Sequence, residues 1–265
     1  MERRLILLIM VVIVALVANP AVAKCSRWHL NQGGSYGIYD FSWGEINELN
    51  QAFESWTKQI GIDEFEIDTL DDNPLLFSFG QKVEVTPRWE IGLDLSILGT
   101  NSISESAEKE VPLSGGGYKF TSVDYTFTPV LAIGDLIVYY KCEGRLSPFL
   151  GVGIGYCAVN IQGDHNVCQE TFTPPYGYSF KSLDESFSIS ENKSGWVLSA
   201  GLNWMVMKSV FDVRTGLEVR YHQFPKMEGQ FEIENEGFSS FPVEPQPFRL
   251  ELSGFEYRIY TMVRF

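Results

Sequence analysis

Charged residues alternate with apolar residues in several segments of this sequence, and charges of both signs fall on the same face of a segment. A period of two is typical of a β-strand, whose successive side chains point to opposite faces. Acids and bases on one face of neighbouring strands can form ion pairs, line a path for ions or exchange protons. The set comprises Lys82, Glu84, Glu90, Asp94, Arg214, Glu218, Arg220, His222, Glu256, Arg258 and Arg264.

The final segment, residues 253–265, gives the clearest view of the element that positions these charges. Its odd-numbered residues from Phe255 to Phe265 are apolar or threonine, and its even-numbered residues include Glu256 and Arg258. One face of this strand suits an apolar solvent and the other a polar one. In a transmembrane barrel the apolar face turns to lipid and the polar face to the lumen.

Similar alternation predicts eight strands in all, although the first is a Gly- and Tyr-rich run without clean alternation. The connections between them are alternately long and short. This order predicts an all-β fold, an eight-stranded antiparallel up-and-down transmembrane β-barrel with both termini at the short-turn end. A bulge is expected at Gly134-Asp135. The strands are 33–41, 75–85, 89–97, 118–140, 148–159, 195–206, 211–222 and 253–265; the long connections are 42–74, 99–117, 160–194 and 224–249, and the short ones 86–88, 141–145 and 207–209.

The first long connection contains a short amphipathic helix. Ser42 and Glu45 have the spacing of a capping box, and apolar residues then recur at steps of three and four before Gly61. We expect the apolar side to pack over the mouth of the barrel or against the membrane interface, with partner binding as an alternative. These apolar residues are Ile46, Leu49, Phe53, Trp56 and Ile60.

Aromatic residues separate a membrane barrel from a soluble eight-stranded carrier, which would hold its large apolar residues inside. They gather at both ends of the strands, as the two interfaces of a bilayer favour. The predicted belts are Trp89, Tyr139, Tyr140, Phe149, Trp204, Phe211 and Phe265 at the short turns, and Tyr156, Trp196, Tyr221 and Phe255 toward the long connections. Eight strands leave an interior about wide enough for side chains. We therefore interpret the charged set as a polar core, with a narrow ion-conducting path as the alternative.

The N-terminus and the overall charge bound the location and the partners. Residues 1–23 have two arginines, an apolar stretch and a small-x-small site, which predicts a signal peptide and a barrel domain over 24–265. The net charge of −14 argues against nucleic acid as a partner.

Cysteines of an exported chain usually form disulfides. From the predicted topology we expect Cys157 to pair with Cys168 and Cys25 with Cys142.

The eight strands, the segment 148–156 (PFLGVGIGY) and the terminal Phe265 resemble the bacterial outer-membrane β-barrel superfamily that includes the OmpA transmembrane domain and OmpW. The resemblance implies the outer membrane of a Gram-negative bacterium, periplasmic termini, contact with lipids and lipopolysaccharide, and recognition of Phe265 by the barrel-assembly machinery. It implies a non-enzymatic structural or surface-interaction role with an unidentified extracellular ligand. An OmpW-like channel for small or hydrophobic solutes is the alternative. We expect no periplasmic cell-wall-binding domain after the barrel, so the resemblance does not imply an OmpA-like tether to the cell wall.

Lipid A 3-O-deacylases are barrels of similar layout, and they offer an enzymatic alternative. Arg220-Tyr221-His222-Gln223 is superficially similar to their histidine segment, and Glu218 shares the face of His222. Their pattern requires a nucleophile two residues after the histidine, where this sequence has Phe224. We predict no catalytic site.

No cofactor or metal site is predicted either. His29 and His165 lack partners at strong metal-ligand spacing, since Cys168 is assigned to a disulfide. Acidic residues in the last long connection are interpreted as a solvated loop, with weak divalent-cation binding as the alternative. They are Glu228, Glu232, Glu234, Glu236 and Glu244.

Overall fold

A computed structural model describes most of the chain after the predicted signal peptide. The predicted cleavage site, Cys25, Phe211 and Phe265 lie outside the described residues. Among the described residues, no helix is long and apolar enough to cross a membrane. The described ranges are 29–59, 61–70, 72–99, 102–208, 212–230, 232–235 and 247–264.

One helix and twelve strands make up the described fold. Eight of the strands are those predicted from the sequence, within a few residues at the ends that adjoin short turns. In chain order the elements are β1 (His29–Tyr39), α1 (Gly44–Gln59), β2 (Leu75–Thr86), β3 (Trp89–Gly99), β4 (Ile103–Pro112), β5 (Tyr118–Lys141), β6 (Leu146–Thr173), β7 (Gly177–Lys208), β8 (Asp212–Gln223), β9 (Met227–Gln230), β10 (Glu232–Asn235), β11 (Pro247–Leu250) and β12 (Gly254–Arg264).

Eight strands close into a ring in which every pair is antiparallel. The order around the ring is β1-β2-β3-β5-β6-β7-β8-β12 and back to β1. The seam is β1 against β12, with nine residue pairs from Asn31↔Arg264 to Tyr39↔Glu256. β1 is the strand with the weakest sequence signal, yet it pairs continuously on both sides, so the predicted fold class is confirmed.

The barrel is apolar on its outer face and polar on its inner face. Along β12, Phe255, Tyr257 and Ile259 are exposed while Glu256 and Arg258 are buried. Because β1, β2, β3, β8 and β12 have 11 or 12 residues each, their length matches the ~9–11 residues that a tilted strand needs to cross a bilayer. Exposed apolar side chains around the whole ring form the surface that meets the lipid.

Three strands continue far beyond the ring and form a folded extension at its outer end. β5, β6 and β7 have 24, 28 and 32 residues. β4 pairs with the outer part of β5, and β10 with the outer part of β7. The predictions of loops over 99–117 and 160–194 are therefore wrong: these stretches are mostly paired strand. Their outer faces meet water rather than lipid, so their polar composition resembles that of a loop.

The extension has an apolar core built around α1. Ile46 and Phe53 on the helix are buried, and Leu49 packs beside them. The ring of Phe53 lies 5.8 Å from that of Tyr125 and 5.2 Å from that of His165. The predicted helix is confirmed, and it packs over the mouth of the barrel.

The structure corrects two local predictions. The β3–β5 and β5–β6 registers run through Gly134 without a shift, so no bulge occurs there. Tyr139 and Phe149 are buried in the lumen rather than placed in an aromatic belt. Gly151 and Gly201 make room for these rings, because a Cβ on Gly151 would lie 2.8 Å from Tyr139 and one on Gly201 2.4 Å from Phe149.

The last long connection, 224–249, also contains strands. β9 pairs with β11, and β10 extends the edge of β7. Glu228 lies 3.3 Å from Arg249, so it has a cationic partner from the neighbouring strand. Glu232 and Glu234 lie on β10, and Glu236 and Glu244 fall outside the described residues.

Candidate functional site

The structure places all eleven charged residues of the predicted set on the inner side of the barrel. Nine are buried, and Arg214 and Arg264 are partly exposed near the short turns. The positions follow from the strand pleat, since each strand directs every second residue inward. We call this set, together with the interior residues Asp135, Tyr139, Lys141 and Ser199, the lumen network.

Arg220 is the centre of the lumen network and is completely buried. Its Nε donates to Glu218 at 2.9 Å and its Nη1 to Asp135 at 2.8 Å. Its Nη2 donates to Asp94 and, at 2.7 Å, to the hydroxyl of Tyr139. Partners on β3, β5 and β8 are thus held by one guanidinium, whose planar fork suits several carboxylates at once.

Arg258 repeats this arrangement from β12. Its Nη2 donates to Glu218 at 2.6 Å and to Asp94 at 3.1 Å, so the two arginines share both carboxylates. Lys82 lies 3.9 Å from Glu218 and 4.0 Å from the centre of the Tyr139 ring. Paired charges and a cation–π contact offset part of the cost of removing these ions from water.

A second group of ion pairs lies at the short-turn end of the lumen. Lys141 donates to Glu84 at 2.9 Å and also to Glu90. Arg264 lies 3.6 Å from Glu84, and Arg214 lies 3.9 Å from Glu90. Both groups tie strands together across the barrel rather than along one strand.

Four members of the lumen network were not predicted from the sequence: Asp135, Tyr139, Lys141 and Ser199. The signal was present, because odd residues from 121 to 141 all face inward and the inner face of β5 can be followed without interruption. The expected bulge at Gly134-Asp135 hid that parity. For Ser199, which donates to Glu218 at 2.5 Å, alternation gives the face, but only the structure gives the partner.

Side chains fill the lumen at the level of the two arginines. A small cavity lined by Lys82, Asp94 and Arg258 has a volume of about 10 Å³, which is at most enough for one water molecule. A wider cleft of about 520 Å³ lies outside the lumen at the outer rim, beside Tyr221 and Phe255.

His222 is placed for hydrogen bonding to Asp135 rather than for acyl transfer to a lipid. Its Nε2 lies 3.0 Å from Asp135, and its ring stacks on Phe224, the residue found where a nucleophile is required. The imidazole is completely buried inside the barrel, whereas lipid chains contact the outer face. Glu218 bonds to the arginines and not to this histidine.

Among the residues that the structure describes, Cys142, Cys157 and Cys168 form no disulfide with one another. The predicted pair Cys157–Cys168 is corrected, because both residues lie on β6, eleven positions apart. At about 3.3 Å per residue their Cα atoms are roughly 36 Å apart, far beyond the ~7 Å limit of a disulfide. Cys25 is outside the described residues, so the pair Cys25–Cys142 stays a prediction. His165 is buried in the extension against Phe53, and His29 begins β1.

No protein-family model matches this sequence, and no curated protein matches it. Several solved structures are similar to this chain, and the following three are examples. The outer membrane protein OprG from Pseudomonas aeruginosa is 10% identical, with 90% of this chain and 95% of that chain covered and a TM-score of 0.43. Ail, the attachment invasion locus protein of Yersinia pestis, is 10% identical, with 90% and 97% covered and a TM-score of 0.34. Neisserial surface protein A is 8% identical, with 91% and 98% covered and a TM-score of 0.35.

These similarities are too distant to support an inference about function. The closed antiparallel ring, the apolar outer band and the charged interior of this chain define it as an eight-stranded transmembrane β-barrel. This is the fold of the outer-membrane β-barrel superfamily that the sequence resembles.

Proposed function

We propose that this chain is a non-enzymatic integral outer-membrane protein with a sealed lumen, and that its role is carried by the folded extension as an interaction surface. The lumen network carries the proposal. Arg220 and Arg258 fill the cross-section, and each of their shared carboxylates is already bound. An ion or solute would have to break several buried ion pairs in order to pass.

The orientation follows from the short turns and the chain ends. His29 pairs with Glu84 and Arg264 with Asp212, so the first and last strands meet the short turns at one end of the barrel. We place this end in the periplasm and the extension outside the cell, as in barrels with short periplasmic turns. Lipids and lipopolysaccharide then surround the apolar band, and the assembly machinery would recognise Phe265, the residue that follows β12 in the sequence.

The tip of the β6–β7 hairpin is the part of the extension best suited to a partner. Tyr176, Tyr178 and Phe180 are 89%, 67% and 62% exposed there. They lie on the water-facing extension rather than on the lipid band, so lipid does not account for their exposure. Exposed aromatic side chains in a group are typical of protein interaction sites. The ligand that this surface would bind is unidentified.

Conductance in planar lipid bilayers tests the sealed lumen. We expect no single-channel steps from the purified protein. The alternative is a small OmpW-like channel; reproducible steps that vanish in Arg220→Met or Glu218→Gln would overturn the proposal.

Surface labelling of intact cells tests the orientation. An antibody is expected to reach an epitope inserted between Pro175 and Tyr176 without permeabilisation of the cells, and not to reach one inserted between Glu143 and Gly144.

A further inference from the structure

Three side chains meet at the outer end of the lumen network, where the polar interior gives way to the apolar core of the extension. Asp135 comes from β5, His222 from β8 and Glu256 from β12, and each is at most 1% exposed. One nitrogen or oxygen from each lies within 4.8 Å of the others. The Nε2 of His222 is 3.0 Å from Asp135 Oδ2 and 3.9 Å from Glu256 Oε2.

Several polar atoms of this trio lack a hydrogen bond. No residue that the structure describes forms a hydrogen bond with four of these atoms: the two carboxylate oxygens of Glu256, Oδ1 of Asp135 and Nδ1 of His222. The nearest cation to Glu256 is Arg258, whose Nη1 lies 3.7 Å from Oε1, which is too far for a hydrogen bond. A buried carboxylate without hydrogen bonds is costly, so Glu256 requires a partner that these contacts do not supply.

The charges of the surrounding network point to the sign of that partner. With His222 neutral, as a metal ligand must be, the group around Arg220 contains three cations and four carboxylates, which leaves one negative charge unmatched. Lys82, Arg220 and Arg258 are already bound to Asp94, Glu218 or Asp135. Glu256 is the carboxylate left over, and it lies beside His222. The missing partner is therefore a cation. The cations are Lys82, Arg220 and Arg258, and the carboxylates Asp94, Asp135, Glu218 and Glu256.

We propose that Asp135, His222 and Glu256 bind a divalent transition-metal ion, with Zn²⁺ as the best match. One imidazole nitrogen with two carboxylate oxygens is a donor set that Zn²⁺ accepts, at bond lengths of about 2.0–2.2 Å. Ligand atoms around a tetrahedral ion with such bonds lie roughly 3.3 Å apart. The distances of 3.0 and 3.9 Å bracket that value, so small side-chain rotations complete the site.

The surroundings of His222 suit a structural metal site. Its ring is stacked on Phe224, and the ring of Tyr39 packs edge-on against it, each with centroids 5.6 Å apart. Tyr39 is itself fixed by a hydrogen bond to the carbonyl of Leu252. These ring contacts hold the imidazole in place, and a water molecule would complete the four-coordinate shell of the ion. The ion would join β5, β8 and β12 just below α1.

Zinc titration of the purified protein tests the site. The protein is refolded in detergent, freed of metal with a chelator and carries Cys25→Ser and Cys142→Ser, so that neither cysteine of the predicted pair can bind the ion. We expect one Zn²⁺ per chain by calorimetry, a Zn²⁺-dependent rise in thermal midpoint, and visible absorption bands when Co²⁺ replaces Zn²⁺. His222→Gln and Glu256→Gln should each weaken binding at least about tenfold.

His165→Gln is the matched control, because His165 is equally buried but lies in the apolar core of the extension. It should bind Zn²⁺ as the parent protein does. Heat-modifiable gel migration verifies that each variant is folded. Absence of stoichiometric binding to the parent protein would overturn the proposal, as would equal binding by folded His222→Gln and the parent. If neither Gln variant folds, X-ray absorption at the zinc edge of the parent protein decides, since a spectrum without the outer-shell scattering of an imidazole ring would exclude His222.

Discussion

Strand β6 passes through two environments, and the side chains on both of its faces change character between them. In the barrel, its outer face carries Leu150, Val152 and Ile154 and its inner face is mostly glycine beside the charged lumen. In the extension, its outer face carries Gln162 and polar neighbours, and its inner face carries Val159, Ile161 and Val167 in an apolar core. Along β6 as far as Val167, odd-numbered residues face inward and even-numbered residues face outward. Only the types of residue on each face change between the two regions.

The solvent outside the sheet decides which interior is stable. Where water is outside, burial of apolar side chains drives folding, and the extension has the core of a soluble domain. Where lipid is outside, an apolar side chain gains little from turning inward. The barrel interior is then held by ion pairs that cross from strand to strand. The two regions should therefore respond oppositely to the same kind of substitution.

Loss of Arg220 should have the largest effect. In Arg220→Met, Asp94, Asp135 and Glu218 each lose a bond to the same buried cation. Removal of one partner from a buried ionic network costs about 3–5 kcal/mol. Urea unfolding in lipid vesicles measures this loss.

The matched control is Arg88→Met, in which the broken pair with Glu143 is 62% exposed on both sides. An exposed pair of this kind contributes little, and we expect no measurable change. Equal losses in the two variants would show that the lumen ion pairs do not stabilise the barrel.

A charge introduced on the outer face of β6 should show directly whether lipid or water surrounds that part of the strand, because a charge is costly only in lipid. Val152→Arg places a guanidinium in the apolar band, where the cost is about 2–4 kcal/mol near the bilayer midplane. Gln162→Arg changes the same face of the same strand ten residues further out, and it should leave stability unchanged. If both variants unfold at the urea concentration of the parent, the band around Val152 does not meet lipid.

Most of the barrel could be predicted from the sequence because alternation is a local property. Alternation over residues 253–265 predicts both faces of the closing strand, β12, and the same pattern in β8 places Arg220 and Glu218 in the lumen. The first strand was harder: Gly33 and Gly37 leave gaps in the pattern, since a Cβ at either site would collide with the backbone of β12. The closure of the barrel between β1 and β12 therefore depends on how the two strands pair, and the sequence of β1 alone does not show it.

The extension and the trio of Asp135, His222 and Glu256 could not be predicted in the same way. The outer parts of β6 and β7 have polar outer faces, so their composition favours loop. Asp135, His222 and Glu256 lie on three strands that are separated by 34 to 121 residues in the chain. Alternation predicts that each of the three residues faces the lumen. Whether they lie at the same level along the barrel axis depends on the register of every strand pair between them.

A buried hydroxyl links the helix to the wall of the extension and should have a moderate effect. The Tyr125 hydroxyl donates to Asn50 at 2.7 Å. Tyr125→Phe removes this donor from the buried amide oxygen, at a cost of about 1–3 kcal/mol. Faster hydrogen exchange in α1, with unchanged exchange in β12, is the expected result. Tyr176→Phe, at a site 89% exposed, is the control and should alter neither.

The smallest effect should come from a charge pair on the surface of α1, where acid is expected to loosen the extension before the barrel. Lys58 donates to Glu54 at 2.5 Å, and this hydrogen bond lowers the pKa of Glu54, as does the amide of Ile67. A carboxyl whose pKa is lower in the folded state contributes stability above its unfolded pKa of about 4.3, and that contribution is lost as pH falls through the folded value.

Hydrogen exchange at the end of α1 between about pH 6 and about pH 3 measures this loss, after correction for the intrinsic pH dependence of exchange. Protection should fall toward acid in the parent protein. Glu54→Gln should start from lower protection and show little further change, because the amide cannot titrate and binds Lys58 without charge. A parallel fall in both proteins would assign the acid sensitivity to other carboxylates.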